Sequence, residues 1–82
     1  MTLTEFSFDP GELRVPAGTV LQLHNDGTIV HNMSVDGVAS EMIDGGASGE
    51  LDLTGLEPGT YDMQCDVPGH AAAGMTGTMV IE

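Results

Sequence analysis

Lysine is absent from this 82-residue chain and Arg14 is its single fixed cation, against 13 acidic residues, for a formal net charge of −12. Nucleic-acid binding needs cationic groups to meet the phosphates, so that class of function is excluded. Two readings of the acidity stay open: the surface steers a basic partner by long-range attraction, or it is adapted to high salt. Cysteine occurs once, at Cys65, so no internal disulfide can form and cysteine usage does not fix the compartment. No apolar run reaches the roughly eighteen residues that a membrane-spanning helix needs. Met1-Thr2-Leu3-Thr4-Glu5 lacks the basic start and apolar centre of a signal peptide. The chain reads as a mature form or as a domain excised from a longer protein.

The remaining composition disfavours helix bundles: 12 Gly and 4 Pro separate short runs of Val, Thr, Leu and Ile, which suit strands. One domain over residues 1–82 is expected, burying only ~60–65% of its unfolded surface. In so small a core a bound metal contributes appreciably to stability. Glu5 to Phe8 alternates like a half-buried strand, and Asp9-Pro10-Gly11 is turn chemistry. Leu13 and Val15 begin an extended run that stops at Pro16-Ala17-Gly18. Thr19 to His24 is a strand with Leu21 and Leu23 on one face and His24 on the other, ending at the tight turn Asn25-Asp26-Gly27. Thr28 to Val35 is expected as a strand with Ile29, His31, Met33 and Val35 on its inner side. From Asp36 to Gly49 the pattern dissolves, and no additional strand is expected there. Leu51 and Leu53 mark a short strand, Tyr61, Met63 and Cys65 share the apolar face of another, and Gly77 to Glu82 is the last. Six to eight short strands with turns about every ten residues point to a small antiparallel all-β sandwich or barrel of Greek-key type.

The stretch Cys65-Asp66-Val67-Pro68-Gly69-His70-Ala71-Ala72-Ala73-Gly74-Met75 places a thiolate, an imidazole and a thioether in one loop. That soft donor set selects copper over zinc, magnesium or calcium. A copper site that carries electrons needs a further strong ligand, usually a second imidazole. His31 on its apolar face is the candidate, since a buried imidazole needs a partner for each ring nitrogen. His24, facing away beside a turn, is expected in solvent. Met33, Met63 and Met79 read as core filler, and Met42 is assigned nothing.

Cys-x4-His-x4-Met with an upstream His31-Asn32 pair resembles the cupredoxins, the type 1 blue-copper proteins such as plastocyanin, azurin and halocyanin. The Phe6-Ser7-Phe8 opening and the Pro16-Ala17-Gly18-Thr19 turn extend the likeness over most of the chain. The resemblance implies one copper per chain, with His31, Cys65 and His70 near-trigonal and Met75 axial at longer range. It also implies that Asn32 ties the two ligand segments together. In plastocyanin- and azurin-like chains Ser or Thr often follows the cysteine; here it is Asp66, which alters that tie. It further implies a redox partner protein, docked near an exposed His70 edge, and an extracytoplasmic (periplasmic or cell-surface) setting.

The function expected is one-electron transfer by a monomer, not catalysis, with an electron-relay domain of a larger copper oxidoreductase as the alternative. Three histidines and no His-x-His pair leave nothing for a catalytic copper. A cysteine hydrolase lacks room for a substrate cleft, and methionine is foreign to structural zinc sites.

Overall fold

The computed structural model describes all 82 residues. Nine short strands run in order: β1 Thr2–Thr4, β2 Ser7–Asp9, β3 Glu12–Val15, β4 Val20–Asn25, β5 Ser34–Val35, β6 Val38–Ala39, β7 Ser48–Asp52, β8 Gly59–Gln64 and β9 Thr76–Ile81. They form two sheets, ordered β2-β1-β4-β7 and β3-β9-β8-β5-β6. The expected all-β sandwich is there, with one strand more than the upper expectation of eight.

Its ladders are mixed rather than purely antiparallel: β1 pairs with β4, and β3 with β9, in parallel. The turns explain why. Asp9-Pro10-Gly11 and the Pro16–Thr19 segment each carry the chain to the opposite sheet, not to a neighbouring strand of the same one. Turn chemistry marks where a strand stops and says nothing of which sheet receives the next one. Between the sheets, period-two alternation buries Leu3, Phe8, Val15, Leu23, Leu51, Met63, Met79 and Ile81 in one core with Met33, Val35, Cys65 and Met75. Tyr61 Oη donates to the Glu57 carbonyl at 2.7 Å, fastening the Glu57-Pro58-Gly59 turn at the entry to β8.

Three local expectations are corrected. Glu5 to Phe8 is not one strand; a turn at Glu5-Phe6 folds β2 back on β1, with Leu3 opposite Phe8. Thr28 to Val35 is not one strand either. The side chain of buried Asn25 donates to the carbonyls of Ile29 and Ile43, both at 2.8 Å. The Thr28 and Ile29 amides donate to the Glu5 carboxylate at 2.7 and 3.0 Å. With its backbone groups taken by side chains, this segment has no need of a ladder, and Ile29 turns out to solvent, 42% exposed. Finally, residues 36–49 do hold a strand: Asp36 and Gly37, both at positive φ, form a two-residue turn from β5 into β6, with Val35 opposite Val38. Farther on, Ile43 bridges His31.

Candidate metal centre

Two segments supply the site. His31 is pinned by its backbone: its amide donates to the Ile43 carbonyl at 3.1 Å, and the Ile43 amide donates back at 2.8 Å. Its ring is fully buried. The second segment joins β8 to β9. Cys65 leaves the end of β8 on the buried face, and its amide donates to the Met75 carbonyl at 3.2 Å, closing the loop at its neck. Inside, the His70 carbonyl accepts from Ala73 at 3.1 Å and from Met75 at 3.0 Å, so the loop folds around His70. Gly74, at φ 111°, takes a conformation open to glycine alone, and it is this bend that returns the chain to β9.

Asn32 straps the segments together. Its Oδ1 accepts the Asp66 amide at 2.7 Å, and its Nδ2 donates to the Asp66 carboxylate at 3.1 Å. The expected tie is therefore made twice, and the acid after the cysteine adds a hydrogen bond to it.

The structure brings His31, Cys65 and His70 together: one donor atom from each lies within 4.8 Å of the others, and all three residues are buried. His31 Nδ1 and His70 Nδ1 are 3.1 Å apart, and Cys65 Sγ is 3.5 Å from His70 Nδ1. Donors bound to one ion at ~2.0–2.3 Å stand within about 4.6 Å of each other, so the 3.1 and 3.5 Å separations suit a shared metal. Thiolate with two imidazoles is a set matched to copper. Met75 is fully buried, its backbone bonded to both Cys65 and His70. His24 lies outside, exposed, with Nδ1 2.9 Å from Ser48 Oγ.

Two residues escaped the sequence reading. Phe6 sets its ring against His70 at 4.8 Å between centroids and against His31 at 6.3 Å. Glu5 Oε1 lies 3.1 Å from His31 Nε2. The Glu5 carboxyl is held below its usual 4.5, first by the Ile29 amide, against an opposing desolvation, with the Thr28 amide and His31 adding. The Phe6-Ser7-Phe8 likeness gives Phe6 no place at the site and nothing in the sequence marks Glu5; only the turn at Glu5-Phe6 aims both there.

A β-sandwich with one buried thiolate and two buried imidazoles within 4.8 Å of one another presents a donor set suited to a single soft metal ion. The chain belongs to the cupredoxin family: the model of the cupredoxin-like domain matches residues 1–81, and His31, Cys65 and His70 form its candidate copper site. Solved structures of similar fold include the reduced auracyanin of the photosynthetic bacterium Roseiflexus castenholzii (TM-score 0.77, 24% identity, covering 96% of this chain and 90% of that one). A mutant fern plastocyanin superposes at TM-score 0.79 with 21% identity, covering 99% and 97%. An amicyanin M98L mutant does so at 0.74 with 24% identity, covering 100% and 81%.

Proposed function

We propose that the protein is a one-electron carrier whose single type 1 copper would cycle between Cu(I) and Cu(II), and that His31, Cys65 and His70 would hold it with Met75 as a fourth, weaker donor. The convergence of three buried donors from two segments, within 4.8 Å, carries this reading. When bound, the metal supplies a redox centre whose coordination lies between the preferences of its two oxidation states. The chain's own contribution is rigidity. The Ile43 bridge holds His31, the closed loop holds Cys65 and His70, and the Asn32 strap fixes one segment against the other.

His70 is 7% exposed, against 0% for His31 and 1% for Cys65. With Ala72 and Ala73 exposed beside it, it is the natural point for electrons to enter and leave. The partner is a redox protein, and on the steering reading of the acidic exterior its docking surface is basic. By family resemblance the setting is extracytoplasmic, and no helix here is long and apolar enough to cross a membrane. Electron carriage is favoured over catalysis because the remaining histidine, His24, is bound to Ser48 on the surface.

The copper-loaded protein should show an intense visible thiolate-to-Cu(II) band that ascorbate bleaches. Cys65→Ser and His31→Ala should abolish it, His24→Ala should leave it intact, and Met75→Leu should keep it while raising the potential. A colourless copper complex, or bleaching by His24→Ala alone, would defeat the assignment.

A further inference from the structure

One oxygen of Glu5 collects three donors: the Thr28 amide at 2.7 Å, the Ile29 amide at 3.0 Å and His31 Nε2 at 3.1 Å. The seat is built for it. A methyl group on Gly27 would collide with the Glu5 carboxylate, and a methyl on Gly45 would lie 2.8 Å from the Gly27 carbonyl oxygen that packs against it. An ionised carboxylate accepts hydrogen bonds and cannot donate them, so the proton of neutral His31 belongs on Nε2. The opposite nitrogen, Nδ1, then carries its lone pair into the space shared with Cys65 and His70, 3.1 Å from His70 Nδ1.

We propose that Glu5 is a positioning residue for the copper ligand His31: it fixes the ring's tautomer and orientation and, through its negative charge, strengthens the imidazole as a donor. This rests on His31 being a ligand, as proposed above. A carboxylate behind a ligating histidine raises its basicity, and loss of such a partner typically costs about 10–100-fold in metal affinity. The added negative charge favours the more positive oxidation state, so Glu5 biases the site toward Cu(II). The residue comes from the β1–β2 turn, remote from both ligand segments in sequence, so the first hairpin takes part in the metal site.

Glu5→Gln, Glu5→Ala and Gly27→Ala in the full chain test this through nitrogen-15 NMR of metal-free protein, copper titration and voltammetry. In the metal-free wild type His31 should be the Nε2–H tautomer. Glu5→Gln keeps an accepting oxygen without the charge, so tautomer and visible band should persist while the potential rises. Glu5→Ala and Gly27→Ala should both release the tautomer and weaken copper binding about tenfold or more. If Glu5→Ala fails to fold, the wild-type tautomer and the Glu5→Gln potential decide the matter. An Nδ1–H tautomer in the metal-free wild type, or an unchanged potential in Glu5→Gln, would overturn the role of Glu5. A wild type that takes up no copper would instead overturn the proposed function itself.

Discussion

Asn32 is the side chain on which the relation between the two ligand segments turns. It is 1% exposed and both of its polar atoms are committed to Asp66. Replacing it with alanine leaves the Asp66 amide without its partner, a loss of roughly 1–3 kcal/mol. In a domain of this size each kcal/mol moves the midpoint by about 4–8 °C. Asn32→Ala should therefore melt several degrees below wild type even without metal, as followed by circular dichroism. Equal midpoints would mean that water replaces both bonds at no cost. The same residue marks what a linear reading can reach. The tie between His31-Asn32 and Cys65-Asp66 was legible only through the family resemblance, and its second bond depends on how the Asp66 side chain turns. Glu5 and Phe6 reach the site only because a turn brings them there.

At the scale of elements, the β5–β6 hairpin is the clearest lesson. Asp36-Gly37 between Val35 and Val38 carries the chemistry of a two-residue turn, yet each flanking strand is only two residues long. So short a ladder leaves no period-two pattern to detect, and the glycine- and acid-rich surroundings read as loop. The Thr28–Val35 error has the opposite cause: the apolar alternation is real, but Asn25 and Glu5 take the backbone groups that a ladder would have used. Of the six-residue strands β4, β8 and β9, the first two were legible because alternation persists along them. The hairpin also gives a clean test. Gly37 lies at φ 82° with open space around its α-carbon, so any cost of Gly37→Ala is conformational, about 1–2 kcal/mol. Gly55 has similar space and no positive φ, and Gly55→Ala should be near neutral. Denaturant melts of the two variants should differ accordingly, and equal stabilities would contradict the turn geometry.

For the molecule as a whole, the acidic surface goes almost uncompensated. Apart from the Glu5–His31 contact, the only pairing is Arg14 with Glu82 at 3.9 Å, both largely exposed, where such pairs contribute little. Self-repulsion of the remaining carboxylates disfavours the compact state and is screened by salt. The melting midpoint of the metal-free protein should therefore climb as sodium chloride is raised from low ionic strength; a flat profile would show that the charges are too dispersed to matter. Electron transfer to a basic partner should slow over the same range if the surface also steers, so the two readings of the acidity separate in paired experiments.

The closed neck between Cys65 and Met75 reaches beyond the native state. Three of the four proposed donors lie within eleven consecutive residues, so the denatured chain keeps a local thioether–imidazole–thiolate chelate, and only the histidine at position 31 is lost to it. A metal held by both states stabilises the fold only through the ratio of its two affinities. A peptide of residues 64–76 should accordingly bind Cu(I) in a competition assay with a chromogenic chelator. The midpoint gain on metallation should fall short of what the native affinity alone would give. His31 then determines how much of the binding energy becomes folding energy.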